Sequence, residues 1–281
     1  MEVLERAGEL PGILDRLRAG GHRVGFVPTM GALHDGHASL IERAAEECDH
    51  VSVCVYVNPL QFGPGEDYAT YPRDLAADLV VAEKAGADLV VAPEVEEMAP
   101  AEACTVVRVT ELGEILEGRA RPGHLDGVAT VVTKLLCLAG RCRAYFGEKD
   151  FQQLVVVRRL VADLSLPVEV VGCPTVRAVD GVALSSRNAA LSGEEREAAP
   201  VLYRALRAGA ASIVAGERDP AEVVELIGAV VEAEPLVELD YAAVVDPETL
   251  ASPETLAGAL RLLVAARVGG TRLVDNLGVR G

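Results

Sequence analysis

Residues 51–57 read VSVCVYV, a run in which apolar side chains occupy both faces of an extended chain. Such a run is typical of a strand in a parallel sheet that helices cover on both sides. Similar runs predict strands at Arg23–Pro28, His50–Val57, Asp88–Ala92, Arg143–Phe146 and Val168–Gly172. The helices predicted between and after them are Ala38–Asp49, Leu75–Gly86, Gly127–Gly140 and Phe151–Leu164. This alternation predicts a Rossmann-like, doubly wound α/β domain with a parallel sheet over residues 1–174.

The pattern changes after Gly172, where helices begin to precede strands. The predicted helices are Ser192–Ala215 and Pro220–Glu234, and the predicted strands are Leu239–Val245, Leu260–Val268 and Thr271–Leu277. Gly269-Gly270, between the last two strands, predicts a hairpin turn. We therefore expect a second, smaller α+β domain over residues 175–281, which closes as a lid over the first.

The composition restricts the classes of function. The chain has 281 residues, of which 26 are basic and 43 acidic, and its formal net charge is −17. A nucleic-acid partner is not expected, because such binding needs basic surfaces that displace counterions. Residues Met1–Asp15 lack the features of signal and transit peptides, and the apolar stretch Asp88–Pro93 is too short to cross a bilayer. We expect a cytoplasmic protein with no membrane partner, whose six cysteines are buried and reduced.

The segment PTMGALHDGH at positions 28–37 follows the first predicted strand and opens a helix. Ligands bind at the carboxyl ends of the strands in open parallel sheets, and the N-terminus of a helix favours phosphate. Gly31 and Gly36 permit tight turns, while His34 and His37 add two donors that suit the charge on a phosphate. Two alternatives remain open, a metal site at the histidine pair and a purely structural capping role. The G-x-G-x-x-G pattern of dinucleotide sites is absent from this loop, which disfavours a dehydrogenase.

Two further polar segments also stand at the ends of predicted strands. Asn58 and Gln61 carry amides that can bind the hydroxyl and carboxylate groups of a small ligand, and an ordinary Asn-Pro turn is the alternative that these residues alone favour. In the segment YFGEKDFQQL at 145–154, Gly147 allows close backbone approach and Lys149 is a mobile charge suited to phosphate oxygens. Asp150 either caps the following helix or accepts a bond from a ribose hydroxyl.

The segment LSSRN at 184–188 opens the second predicted domain. Ser185, Ser186 and Arg187 together form a plausible phosphate clamp, since a guanidinium binds phosphate bidentately. A capped surface turn is the alternative for these three residues.

His34-Asp35-Gly36-His37 matches the H-x-G-H pattern of the nucleotidyltransferase superfamily, and the longer run from Pro28 resembles the pantoate–β-alanine ligase family in particular. The resemblance implies a reaction in which ATP activates pantoate as an adenylate and β-alanine then displaces AMP. It also implies magnesium accompanying ATP, and a homodimer. Asp78 matches an acidic magnesium contact of the family, but its neighbour Ala77 is not acidic, and a solvated helical face is the alternative. Leu184 replaces the methionine of the family's Met-Ser-Ser-Arg-Asn segment.

The resemblance also assigns the candidate site residues. The nucleotide contacts are Pro28, Thr29, Met30, Gly31, Ala32, Leu33, His34, Asp35, Gly36, His37, Gly147, Glu148, Lys149, Asp150, Val176, Leu184, Ser185, Ser186 and Arg187. The candidate catalytic residues among them are His34, His37, Lys149, Ser185, Ser186 and Arg187. The candidate substrate contacts are Asn58, Gln61, Tyr71 and Gln153.

Three other functions compete with this interpretation. A different H-x-G-H nucleotidyltransferase would use the same loop but transfer the nucleotide to another acceptor. A serine hydrolase at Ser185 or Ser186 lacks the G-x-S-x-G pattern around those residues. A non-catalytic nucleotide-binding module would bind ATP without exchanging pyrophosphate.

Overall fold

The computed structural model describes all residues, 1–281. The chain divides into two compact units. The first contains Met1–Glu148 and Val156–Pro174, and the second contains Lys149–Val155 and Thr175–Gly281. The short segment Lys149–Val155 therefore groups with the second unit, although the sequence analysis placed it in the first domain.

The first unit is built on a six-stranded parallel sheet, which confirms the predicted α/β fold class. Its strands are β1 (Glu2–Leu4), β2 (Val24–Thr29), β3 (His50–Val55), β4 (Leu89–Val91), β5 (Cys142–Gly147) and β6 (Val168–Cys173). They lie in the order β1-β4-β3-β2-β5-β6. The chain builds β3 and β4 on one side of β2 and returns to add β5 and β6 on the other. The strand order therefore reverses between β2 and β5, and ligands bind at such a reversal in doubly wound sheets.

Seven helices follow or connect these strands. They are α1 (Leu10–Ala19), α2 (Asp35–Glu47), α3 (Leu75–Lys84), α4 (Val95–Met98), α5 (Glu117–Ala120), α6 (His124–Ala139) and α7 (Phe151–Asp163). Strand β1 and helix α1 were not predicted. Strand β1 has only three residues and pairs with a strand that is distant in sequence, so no local pattern indicates it.

Helices α2 and α3 bury their apolar sides against the sheet. Ile41 and Ala82 from the two helices join Val27 and Val53 from the strands in one buried cluster. The neighbouring strand residue Phe26 is also fully buried, so β2 is covered on both faces. This double coverage explains why the strand sequences are apolar throughout rather than alternating.

The second unit contains a three-stranded antiparallel sheet and three helices. The strands β7 (Val237–Val245), β8 (Ala259–Val268) and β9 (Thr271–Arg280) lie in that order, and the helices are α8 (Gly193–Ala198), α9 (Val201–Val214) and α10 (Pro220–Glu232). Val268 pairs with Thr271, so Gly269-Gly270 forms the predicted two-residue hairpin turn. The single helix predicted at Ser192–Ala215 is instead two helices, which are separated at Pro200. Proline lacks the N–H that would continue the helix and suits a helix start.

The exposure of the cysteines differs in part from the prediction, and the helices can be checked for membrane spans. Cys104 and Cys137 are exposed, whereas the other four cysteines are buried as predicted, and all six are free thiols. None of the helices has both the length and the apolar character that a membrane span requires.

Candidate active site

The loop between β2 and α2 is held by its own side chains and by a neighbouring strand. Thr29 Oγ1 donates to the carbonyl of Cys54 at 2.7 Å and accepts from the Gly31 N–H at 3.2 Å. The chain then turns through two residues with positive φ, Gly31 at +76° and Ala32 at +50°. A positive φ is unusual for alanine and costs on the order of 1 kcal/mol or more, so surrounding contacts must hold it in place.

Asp78, on α3, supplies those contacts. One carboxylate oxygen accepts from the Leu33 N–H at 2.7 Å and the other from the Ala32 N–H at 3.1 Å. A Cβ on Gly31 would lie 2.8 Å from Asp78 Oδ2, so a side chain at Gly31 would push the carboxylate away. Asp78 is only 2% exposed. Burial raises its pKa, and the two backbone hydrogen bonds act in the opposite direction.

His34 and His37 stand at the start of α2, and hydrogen bonds determine which ring nitrogen of each accepts. His34 Nδ1 accepts from the Gly36 N–H at 3.1 Å, and His37 Nδ1 accepts from the His34 N–H at 3.3 Å. A nitrogen that accepts carries no proton, so in the neutral imidazoles both protons are on Nε2. The ring centroids are 4.2 Å apart. The N-terminus of α2 therefore carries a pair of Nε2–H donors beside its partial positive charge.

The amides of Asn58 and Gln61 form a second group at the end of β3. Asn58 Nδ2 donates to Gln61 Oε1 and to the Gly127 carbonyl, each at 3.1 Å. Gln61 Nε2 contacts Met30 Sδ in the loop after β2. The structure thus brings together predicted residues of the nucleotide loop and predicted substrate residues. A side chain at Gly127 would collide with the Leu60 carbonyl, so α6 approaches this turn closely only because residue 127 is glycine.

Three residues beside Gln61 were not predicted from the sequence as part of the site. His124 Nδ1 lies 2.8 Å from the Gln61 carbonyl, and its Nε2 lies 3.0 Å from a guanidinium nitrogen of Arg121. A carbonyl can only accept and a guanidinium can only donate, so His124 is neutral with its proton on Nδ1. Arg121 also pairs with Glu66 at 2.6 Å. The signal was the run Arg121-Pro122-Gly123-His124, but the helix that it opens was predicted to start three residues too late.

This group has shifted pKa values that agree with its geometry. Burial, followed by the charge on Arg121, lowers the pKa of His124 to about 4. The hydrogen bond from Arg121 lowers the pKa of Glu66 to about 2. His124 is therefore neutral and Glu66 ionised at neutral pH.

Tyr71 lies in the segment that follows Glu66. It is 7% exposed, and its ring meets Phe62 edge-on with centroids 5.8 Å apart. Arg73 donates to the Tyr71 carbonyl at 3.0 Å and lies over the ring of Tyr68. The structure therefore places Tyr71 in an ordered aromatic group beside Phe62, which directly follows Gln61. The substrate contact of Tyr71 stays a prediction.

In the second unit, the structure brings together two of the predicted nucleotide segments. The Leu184 N–H donates to the Val176 carbonyl at 3.0 Å, and Arg177 forms a β-bridge with Ala183. Ser185 Oγ accepts from the Arg187 N–H at 3.3 Å and so caps the short helix Ser186–Ala190. The structural capping that was the alternative for this segment is thus present, and it does not exclude a phosphate contact.

The third predicted segment of this unit, around Lys149, begins a helix. Lys149 Nζ lies 3.5 Å from Asp150 Oδ1, and the Lys149 side chain is 19% exposed. Gln153 is half-buried in the first turn of α7. Phosphate binding by Lys149 and substrate binding by Gln153 stay predictions.

The residues present do not form a protein cage for magnesium. No group of three or more His, Cys, Asp or Glu side chains in the chain is placed to hold a metal ion. Both oxygens of buried Asp78 already accept backbone hydrogen bonds, so a metal at Asp78 would compete with the contacts that hold the loop. The magnesium contact of Asp78 stays a prediction.

Comparison with known proteins connects this geometry to a family. The family model described as pantoate-beta-alanine ligase matches residues 2–278. The chain belongs to this family, and it is a ligase. A pantothenate synthetase of Deinococcus radiodurans is 55% identical over 261 residues, which cover 91% of this chain and 93% of that protein. One of Acidobacterium capsulatum is 53% identical over 258 residues, covering 92% and 86%.

Solved structures of the family are also similar to this chain. The alignment with the pantothenate synthetase of Thermus thermophilus covers 100% of both chains, with a TM-score of 0.94 and 50% identity. The pantoate-beta-alanine ligase of Francisella tularensis, complexed with beta-gamma ATP and beta-alanine, has a TM-score of 0.82 and 33% identity. That match covers 99% of this chain and 97% of the other.

Proposed function

We propose that this ligase condenses pantoate with β-alanine through a pantoyl adenylate, releasing pyrophosphate and then AMP. The observation that carries the proposal is the geometry of the β2–α2 loop. There the backbone places the Nδ1 atoms of His34 and His37 as acceptors, so that two Nε2–H donors stand at the N-terminus of α2. This arrangement suits the α-phosphate of a nucleotide, whose negative charge increases in the transition state.

In the first half-reaction, a carboxylate oxygen of pantoate attacks the α-phosphorus of ATP and pyrophosphate leaves. No general base is needed, because a carboxylic acid with a pKa of about 4 is already ionised at neutral pH. The protein must neutralise charge on the phosphates and align the reacting atoms. The proposed donors are the His34 and His37 imidazoles and Lys149, together with the Ser185–Arg187 segment.

Pantoate is the proposed ligand of the amide group at the end of β3. The bond from Asn58 to Gln61 Oε1 fixes the Gln61 side chain, and the Gln61 carbonyl is held by His124. Gln61 is thus held at both its backbone and its side chain, which suits recognition of a small polar acid. Gln153 and Tyr71 are the other proposed contacts.

In the second half-reaction, the amine of β-alanine attacks the acyl carbon of the adenylate and AMP leaves. The amine must first lose a proton, since its pKa is about 10 by analogy with lysine. His124 is unsuited to accept that proton, because its Nε2 already accepts from Arg121. His34 and His37 are unsuited for the same reason, because their Nδ1 atoms already accept backbone hydrogen bonds. We therefore assign the proton to water.

Three further parts of the proposal concern magnesium, the location and assembly of the protein, and closure of the second unit. Magnesium enters with the phosphates of ATP, which is its usual mode of binding to nucleotide enzymes. The active protein is a cytoplasmic homodimer. Residues 175–281 close over the substrates and keep water from the adenylate.

Isotope exchange between pyrophosphate and ATP tests the proposed function. The chain should catalyse exchange that requires pantoate and does not require β-alanine. Exchange that instead requires a nucleotide or a phosphorylated acceptor would favour another H-x-G-H nucleotidyltransferase. Absence of exchange with every acid would refute the adenylate mechanism.

A further inference from the structure

Two polar residues interrupt the apolar sequence of β9 in the second unit. Asp275 and Asn276 are each 4% exposed, while the core around this sheet is otherwise formed by aliphatic side chains. A buried carboxylate is costly unless it is paired and hydrogen-bonded. These residues therefore need partners, and the partners lie in or directly beside the segments predicted to bind nucleotide.

Arg177 is the partner of Asp275. Its two terminal nitrogens meet the two carboxylate oxygens at 2.6 and 2.8 Å, in the bidentate geometry that fixes a guanidinium most firmly. The same guanidinium donates to the carbonyls of Gly181 and Asn276, each at 3.0 Å, and stacks on the ring of Tyr203 at 4.0 Å. Arg177 is thus immobilised on β9.

The backbone of Arg177 passes this constraint to two nucleotide segments. Arg177 follows Val176 directly and bridges to Ala183, while the Leu184 N–H donates to the Val176 carbonyl. Any movement of Arg177 away from Asp275 would therefore displace both Val176 and Leu184, the residue directly before the Ser185–Arg187 segment.

Asn276 extends the same cluster to the third segment. Its Nδ2 donates to the Lys149 carbonyl at 2.8 Å, and its N–H donates to Asp275 Oδ1 at 2.7 Å. The backbone from which the Lys149 side chain extends is thereby tied to β9.

We infer that Arg177, Asp275 and Asn276 are positioning residues that set the three nucleotide segments of the second unit in register for ATP. This inference rests on the proposed function. The residues do not touch the reacting atoms. They act through Lys149 and through the Val176–Leu184 pair, and a displacement of about 1 Å at such groups can reduce a rate by about 10²-fold.

The test compares Asn276→Ala with Leu273→Ala, a variant on the same strand that removes apolar packing and leaves the cluster intact. Thermal unfolding measures the loss of stability in each. Asn276→Ala should raise the KM for ATP in pantoate-dependent exchange roughly tenfold, as expected for a loss of phosphate positioning, while the KM for pantoate stays unchanged. Leu273→Ala should lower stability and leave both KM values unchanged.

The double variant Lys149→Ala/Asn276→Ala shows whether Asn276 acts through Lys149. Its KM for ATP should equal that of Lys149→Ala alone, because the lysine that Asn276 positions is already absent. Additive effects, or equal effects of Asn276→Ala and Leu273→Ala at matched stability, would overturn the inference. Wild-type exchange separates the two hypotheses, since its absence would refute the proposed function itself.

Discussion

Replacing Asp78 by asparagine should weaken the attachment of the β2–α2 loop to α3 with almost no change in side-chain size. The new amide nitrogen would face a backbone N–H, either that of Leu33 or that of Ala32, so one of the two hydrogen bonds is lost. A hydrogen bond to a charged group contributes about 1.5–3 kcal/mol. Because about 1.4 kcal/mol corresponds to a tenfold change, the loss of loop positioning should slow pantoate-dependent exchange by roughly 10- to 100-fold.

The control is Asp74→Asn, the same substitution one turn earlier. Asp74 Oδ1 caps α3 by accepting from the Ala77 N–H at 3.0 Å, and asparagine caps helices as well as aspartate does. This variant should retain the exchange rate. Both variants are assayed over a range of magnesium concentrations. An Asp78→Asn defect that excess magnesium reverses would refute the loop-anchor account and support a metal contact, and an unchanged rate would refute both.

Three further predictions concern pH, packing and compactness. The free energy of unfolding should fall by up to about 3 kcal/mol as pH drops from 6.5 to about 4. In this range His124 is protonated in the unfolded chain, whose histidine pKa is about 6.5, but stays neutral in the folded chain, where its pKa is about 4. Denaturant titrations should show a smaller fall in the free energy of unfolding over this pH range for His124→Gln. An equal fall in both proteins would contradict the assignment of this pH dependence to His124. Gly127→Ala should raise the KM for pantoate, since the added methyl group collides with the Leu60 carbonyl and moves the Gln61 turn; an unchanged KM would show that the turn tolerates movement. Small-angle scattering should show a smaller radius of gyration with ATP and pantoate bound, and no contraction would count against lid closure.

The parts of the fold that were predictable from sequence are those determined by local pattern. Strands that are apolar on both faces and the Gly269-Gly270 hairpin can be recognised from the sequence alone, because burial and turn geometry determine which residue types stand next to one another there. Strand β1 was missed because its three residues form a strand only by pairing with β4. The break at Pro200 was predictable in principle, since proline disrupts the interior of a helix, but residues that favour helix on both sides led to one continuous predicted helix.

The candidate site divides in the same way. The residues of the β2–α2 loop and the Asn58–Gln61 turn could be proposed as site residues because each motif is contiguous and stands at a strand end. The anchor at Asp78 and the Arg121–His124 group were not identified in these roles. Their partners are distant in sequence, 45 residues from Asp78 to Leu33 and 63 from His124 to Gln61. Only the folded chain shows such pairings.

The most direct test of the central claim is pyrophosphate–ATP exchange by the wild-type chain and by His34→Ala, His37→Ala and the double variant. The wild type should exchange only when pantoate is present. Each single variant should be slower by roughly 10²–10³-fold, as expected for the loss of one preorganised donor to a charged transition state. If the double variant retains wild-type exchange, the pair of imidazoles at the start of α2 does not stabilise the transition state, and the account fails.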